Sequence, residues 1–498
     1  MNRARILGLF VFCVFGAVTS APAQTVPMPP EFKPVREYIE DSIQKGIAPS
    51  VALAVVKEDK VIWAEGFGFA DRERHIKATP DTMYWLASVS KLLTATGMMT
   101  LVENGLIDLD RPANDYLPGA KLRSYAGDAK QMTVRRLANH TSGLPVHYNF
   151  YYAGTPPLSS DEVIGRYGIG VTAPGSRWEY SNLAFGILAH IVELAAKKPW
   201  REFQAAAVYR PLRMTRTWDG VPRGRDREAA VPYTRDVGDR FIRVPLYDFD
   251  HRGASAIWST ANDLARFVRA NLNGGVLEGT RILKEESVRA MHRLSGESAP
   301  GVGTGIGWAV GLFMGHESIS HTGGMPGVAT YVRAYPKDNA ATIVLTNIDD
   351  STIAVQVTTR LAGVLFSDAR MPQRTEHPAP AETKSPSVPA LAGTWEGKLA
   401  HFDGEIALRL TVKEDGTGEV SFGNRRPSKL NDLTLTEQGL RGRTQGMLRT
   451  QDGYYGTPDL GFVLGRDGDR LTGICVASAP RWFSLSHWVE LKKSANVP

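Results

Sequence analysis

The sequence predicts an α/β protein of the α+β type. It should have an antiparallel sheet flanked by helices, an inserted all-helical lobe, and a small all-β barrel or sandwich at the C-terminus. Three observations carry this expectation. Strand-forming segments at residues 50–69 and 307–347 bracket a long helical middle. Residues 371–390 set Pro372, Pro378, Pro380, Pro386 and Pro389 among Glu, Thr, Ala and Ser, which is the composition of a linker. Beyond it apolar residues alternate with polar ones, as at Ile406, Leu408, Leu410 and Val412, and turn pairs such as Asp415-Gly416 and Asp467-Gly468 recur.

Taken in order, the chain opens with Arg3 and Arg5, an apolar run from Ile6 to Val18, and Ala21-Pro22-Ala23. These are the three parts of a secretory signal, so cleavage after Ala23 and export, to a bacterial periplasm, are expected. Cys13 lies inside the apolar run behind Phe12, which disfavours lipid attachment, and no stable membrane anchor is expected. Residues 24–370 then form the main unit. Phe32, Val35, Ile39 and Ile43 fall on one face of a helix over 31–45. Segments Ser50–Val56 and Val61–Phe69 are rich in β-formers, with a turn at Glu58-Asp59-Lys60. Helices follow over Lys91–Glu103, Asn182–Lys197 and Ala261–Asn271, the last beginning with Thr260 and Asp263 at capping-box spacing. Strand patterns return at Gly307–Phe313, His316–His321, Ala329–Tyr335 and Ala341–Asn347, with a helix over 351–366 behind them. Residues 391–498 make the small β domain.

At 498 residues, with 43% hydrophobic and 22% charged residues, the chain suits a globular protein of two or more folded units. The net charge of +6 is mild and its charges interleave, as at Arg223, Arg225, Asp226, Arg227 and Glu228. A basic stripe with aromatic residues is lacking, so no nucleic-acid partner is expected. The 2 cysteines are Cys13 and Cys475, so the mature chain offers no disulfide pair. The histidines are scattered without H-x-x-x-H spacing, so neither a metal nor another cofactor is expected.

Chemistry concentrates in three motifs. Ala87-Ser88-Val89-Ser90-Lys91 puts a serine three residues before a lysine at a helix start, where both share a face. The unpaired amides there favour an alkoxide at Ser88. Lys91 can serve as a base only when neutral, which burial would achieve. The spacing alone is cheap, since Ser42-Ile43-Gln44-Lys45 repeats it on an ordinary helix. Tyr180-Ser181-Asn182 is the one place where any of the 16 tyrosines has asparagine two positions on. Tyr180 could relay a proton and Asn182 could hold Lys91 or a substrate carbonyl, against the plain alternative of packing and helix capping. His321-Thr322-Gly323-Gly324 ends a strand, where glycines would let a substrate approach the backbone. His251-Arg252-Gly253 is a rival that precedes a helix.

In this order the motifs resemble the serine β-lactamase and penicillin-binding protein family, in the branch of class C β-lactamases, D-peptidases and related esterases. Asn139-His140-Thr141-Ser142-Gly143-Leu144-Pro145 and Trp258-Ser259-Thr260-Ala261-Asn262-Asp263-Leu264 are similar to further stretches of that branch. The resemblance spans about residues 31–367. It implies Ser88 as nucleophile, Lys91 as its base partner, Tyr180 as proton shuttle, and His321 where many members carry lysine. It also implies an oxyanion hole from the backbone N–H groups of Ser88 and Gly324, with Asn182, Thr322 and Gly323 against the substrate. Gly393-Thr394-Trp395-Glu396-Gly397 resembles the opening of lipocalin-like barrels.

The expected reaction is hydrolysis of an ester, amide or D-amino-acid peptide, as a small molecule or peptide, through a Ser88 ester. Alternatives are a β-lactamase or D-alanyl-D-alanine carboxypeptidase, or a non-catalytic binding relative. Carboxylate recognition looks weak: Gly324 offers no hydroxyl, no Lys or Arg lies between Arg293 and Arg333, and K-x-G is absent. The aromatic run His147-Tyr148-Asn149-Phe150-Tyr151-Tyr152 is expected in a loop, either walling an apolar pocket or packing onto the lobe.

Overall fold

The computed structural model describes residues 25–152, 155–222, 224–370, 389–446, 448 and 457–494. The signal-type segment 1–23 and linker residues 371–388 lie outside them. Nine strands form one antiparallel sheet. Its order is Gly296–Ala299, Val302–Thr304, Ala309–Phe313, His316–Met325, Val328–Tyr335, Ala340–Thr346, Ser50–Lys57, Lys60–Asp71 and Ile76–Lys77. The two ends of the main unit therefore meet in mid-sheet, with Leu53 opposite Val344.

Strand Ser50–Lys57 is apolar almost throughout because both its faces are covered. Val51, Leu53 and Val55 pack with Phe32, Val35, Ile39 and Trp63, and with Ile353, Val357 and Leu361 of helix Thr352–Leu365. Ala52, Ala54 and Val56 turn to the opposite core, which holds helices Ser90–Glu103, Asn182–Ala196 and Ala261–Leu272. The hairpin turn is tighter than expected. Lys57 pairs with Lys60, and Glu58 and Asp59 alone carry the positive φ values of 49° and 59°.

Helix Ser90–Glu103 is buried without interruption from Ser90 to Met99, so it runs through the interior between sheet and lobe. Thr260 caps Ala261–Leu272 as its spacing predicts, accepting from Asp263 N at 3.0 Å. Asp263 itself does not complete the box. Its carboxylate accepts from Arg216 N at 2.8 Å and Thr217 Oγ1 at 2.9 Å.

Eight antiparallel strands from Gly393–His401 to Phe483–Lys493 close into a barrel, the last pairing with both the first and its hairpin partner. Trp395, Leu410, Phe462, Leu464 and Leu491 are buried in it, so apolar side chains fill the interior. The aromatic run after Pro145 departs from the expected loop. Tyr148–Tyr151 is a strand that pairs Asn149 with Phe483 and Phe150 with Phe249. Pairing with the barrel's edge satisfies its backbone, and its rings pack on Tyr247 and Trp482. At the same junction Arg481 donates to Thr234 Oγ1 at 2.6 Å and faces Asp349 at 3.4 Å.

A buried polar knot ties the sheet to the loop crossing its end. Ser50 Oγ donates to Asn347 Oδ1 at 2.7 Å and bonds Tyr84 Oη at 2.8 Å, while Asn347 Nδ2 donates to Val231 O at 3.0 Å. Asn347→Ala should lower unfolding stability by roughly 2–3 kcal/mol, because the Ser50 hydroxyl loses its acceptor and the Val231 carbonyl its donor. Urea unfolding followed by circular dichroism measures this, and a change within about 0.5 kcal/mol would show that the knot contributes nothing.

Candidate active site

Ser88 lies in a 3-10 turn, Ala87–Val89, that leads directly into helix Ser90–Glu103. Ala87 adopts φ +48°, a left-handed conformation that costs a residue with a Cβ about 1–2 kcal/mol. Three bonds hold the turn in that shape. Leu86 N donates to Ile257 O at 2.8 Å, Thr330 Oγ1 donates to Leu86 O at 2.8 Å, and Ile257 N donates to Ser90 Oγ at 3.1 Å. Strand Ile257–Ser259 and the sheet thus grip the turn from two sides.

Tyr180 Oη donates to Ser88 Oγ at 2.9 Å. Burial raises the Tyr180 phenol well above its ordinary range, so it stays protonated and acts as a donor. Lys91 is fully buried, and desolvation lowers its pKa well below the ordinary value. Its Nζ donates to Asn182 Oδ1 at 2.8 Å and to Ala254 O at 3.3 Å, and lies 4.8 Å from the Tyr180 ring centre. These surroundings contain acceptors and ring faces without a carboxylate touching the amine, which suits a base that must be neutral at rest.

Ser181, rather than Asn182, caps the following helix, accepting from Ala184 N at 3.3 Å. That leaves the Asn182 amide free to bridge Lys91 and the His147 carbonyl, to which Nδ2 donates at 2.8 Å. The second S-x-x-K copy shows the contrast. Ser42 Oγ folds back onto Tyr38 O and Lys45 pairs with Asp41 on the surface, so the two never meet.

His321 and Gly323 face the Ser88 turn, and Thr322 and Gly324 alternate away from it. Burial lowers His321 to about 3, and its Nδ1–H donates to Thr322 O at 2.7 Å. It is therefore a neutral imidazole with Nε2 as an acceptor, and it does not replace the positive charge of a lysine. Gly323 serves a different purpose from the one expected of it. A Cβ there would sit 2.2 Å from both Leu86 O and Thr330 Oγ1, so the missing side chain makes room for the Ser88 turn. At Gly324 a Cβ would meet nothing within 4 Å. Thr322 is exposed and in register with Tyr331, which places its hydroxyl off the face that holds Ser88.

Several participants escaped the sequence reading. His140, at φ +62°, accepts from Ser181 N through Nδ1 at 3.2 Å, and its ring centre lies 4.5 Å from that of Tyr180. It orients the tyrosine loop. The histidines are also less scattered than their spacing suggests. His147 and His251 both bond to Asp250, the one group of metal-ligand type side chains that converges among the described residues. The adjacent Asp250-His251 pair is the signal that the sequence offers for it. Arg333, the cation nearest in sequence, points to the other face of the sheet, where it bonds Ser318 and Tyr331.

A model of the beta-lactamase family matches residues 35–365, and the chain belongs to that family, whose members are serine hydrolases. "Penicillin-binding protein 4" of Amycolatopsis lactamdurans is 29% identical over 371 residues, covering 70% of this chain and 93% of that protein. "Protein flp" of Staphylococcus aureus strain N315 is 24% identical over 320 residues, covering 63% of each, so the chain spans under two thirds of that relative. The crystal structure of SurE with D-Leu superposes with a TM-score of 0.61 at 19% identity, over 91% of this chain and 99% of that one. The shared fold therefore includes the C-terminal barrel.

The electrostatics predict a particular pH profile. The acid limb of kcat/KM on an activated ester should follow protonation of Lys91, because His321 titrates near pH 3. His321→Asn should leave that limb in place, and Lys91→Met should abolish turnover. A limb that moves with His321→Asn would reassign the titrating base.

Proposed function

We propose that this member of the beta-lactamase family is a secreted hydrolase that cleaves an ester, amide or D-amino-acid peptide bond through a Ser88 acyl-enzyme. The observation that carries the reading is the Tyr180 Oη to Ser88 Oγ hydrogen bond, set beside a buried Lys91 amine. Ser88 Oγ attacks the carbonyl carbon while its proton passes to Lys91 Nζ. The resulting ammonium is held by Asn182, Ala254 O and the ring faces of Tyr180 and Phe185. Backbone N–H groups of Ser88 and Gly324 receive the oxyanion. As the bond to the leaving group breaks, Tyr180 hands it a proton and is reprotonated from Lys91. Water then attacks the Ser88 ester, its proton returns through Lys91, and the serine is regenerated. The signal-type residues 1–23 support export to the periplasm.

The substrate reading rests on what faces the site. His321 is neutral, the Thr322 hydroxyl turns off the face that holds Ser88, and Arg333 turns to the other side of the sheet. These features favour an acyl group without a free carboxylate. The penicillin-binding relative supports the opposite reading, a β-lactamase or D-alanyl-D-alanine carboxypeptidase, and the D-Leu complex of SurE recommends D-peptides in any screen.

Ser88→Ala should reduce turnover of an activated ester by at least about a thousandfold with the fold intact. Surviving activity would falsify the nucleophile assignment, and failure of a fluorophosphonate to label the wild-type protein would favour a binding-only relative. Labelled penicillin should give no long-lived adduct on Ser88; a stable adduct overturns the carboxylate argument.

A further inference from the structure

Behind Lys91 lies a fully buried group that the reaction sequence above does not use. Asp250 accepts from His147 Nε2 through both oxygens, at 3.0 and 3.1 Å, and from His251 Nδ1 at 2.9 Å. Side-chain exposure is 0% for Asp250, 2% for His147 and 1% for His251. A carboxylate shut away from water needs strong partners, and these two imidazole donors hold it in its ionised form, below the usual carboxylate range.

Each imidazole sits on a segment that supplies one anchor for Lys91. The His147 carbonyl accepts from Asn182 Nδ2 at 2.8 Å, which turns Asn182 Oδ1 toward Lys91 Nζ at 2.8 Å. His251 opens the short helix Arg252–Ser255, whose Ala254 carbonyl is the second acceptor of Nζ at 3.3 Å. That helix is locked to the serine helix, since Thr94 Oγ1 donates to Gly253 O at 2.7 Å. The packing leaves no slack: a Cβ at Gly186 would come within 3.0 Å of His251 Cα, and one at Gly253 within 2.4 Å of Phe185 O. Residues 147 and 251 are far apart in sequence, and Asp250 is the group that bonds both side chains.

The consequence follows from amine geometry. A neutral lysine has two N–H donors and one lone pair. When two fixed acceptors take both donors, rotation about the Cε–Nζ bond stops and the lone pair has a single direction. We propose that Asp250 is a positioning residue of this site: through His147 and His251 it fixes Asn182 Oδ1 and Ala254 O, which aim the Lys91 lone pair at Ser88. The inference rests on the Ser88–Lys91 reading given above.

The test is Asp250→Asn, in which one imidazole N–H would face an amide N–H. Steady-state kinetics on an activated ester should show kcat reduced roughly tenfold to a hundredfold, since slight misplacement of a reacting group costs that much. KM should stay within about twofold, because Asp250 is buried away from substrate. The acid limb of kcat/KM should also move to lower pH. Loosened acceptors stabilise the ammonium less, which lowers the Lys91 pKa, and the other groups facing Lys91 do not titrate there. His140, His251 and His321 are all held neutral by burial, and Tyr180 stays protonated.

A second pair guards against a variant that does not fold. His251→Ala should lose activity, and His251→Asn, whose amide N–H can replace Nδ1–H, should recover at least about half of the loss on a logarithmic scale. Unchanged kcat and an unmoved acid limb in folded Asp250→Asn overturn the proposal. So does His251→Asn performing no better than His251→Ala. A stoichiometric divalent metal in the purified wild-type protein, lost in Asp250→Asn, would make the trio a metal site instead and also overturns it. Fluorophosphonate labelling of Ser88 in the wild-type protein reports on the nucleophile separately, so failure of that reading is distinguishable.

Discussion

A primary amine buried without a carboxylate against it is an unusual object in a protein interior. Most buried lysines are paired, because an isolated ammonium is expensive to desolvate. Burial lowers the Lys91 pKa well below its ordinary value, which eases that penalty, and the surroundings offer partners to both of its states. Asn182 Oδ1 and Ala254 O accept from it whether or not it carries the extra proton, and two aromatic faces stabilise the charged form when it appears. The arrangement depends on elements from three parts of the chain, so the inserted lobe, the serine helix and the segment around residue 254 must all be in place. Much of the fold can be understood as what is needed to hold that amine dry and correctly aimed.

The second requirement is close approach. The nucleophile turn and the strand carrying His321 come together at a distance that admits no side chain at position 323. Ala87 bears backbone strain at the same point, and bonds from Ile257 and Thr330 hold it there. Strain in a turn of this kind persists only when its neighbours over-determine it. Here the sheet supplies one set of neighbours and strand Ile257–Ser259 another, which is why residues far from the reaction shape the serine's position.

The C-terminal barrel is bound to this machinery more tightly than a linker of prolines would suggest. Its last strand pairs with Tyr148–Tyr151, and that short strand follows directly on His147, whose carbonyl anchors Asn182. Trp488 stacks on Tyr125 at 5.1 Å, and Arg481 reaches Thr234 and Asp349 beyond the end of the main sheet. The barrel thus braces the lobe side of the site through backbone pairing and rings, with its own interior filled.

The sequence by itself determined the elements and the three motifs, because those signals are local. The apolar run of Ser50–Lys57, the apolar stretch of the serine helix and the turn residues between strands all depend on neighbours within a few positions. The three-residue spacing of Ser88 and Lys91 is likewise a property of one helical turn. What only the tertiary structure decided is everything that depends on which segments meet. That Asn182 is free because Ser181 caps, that Gly323 yields space to Leu86 and not to a substrate, and that Thr322 turns off the site face are consequences of register and packing. The aromatic run became a strand because a barrel edge was there to pair with it. The partners of Asp250, His147 and His140 are not legible in the sequence, since a buried hydrogen bond between distant residues has no sequence period. Ser88 was legible from one turn of helix, whereas the orientation of the lysine beside it required the whole fold.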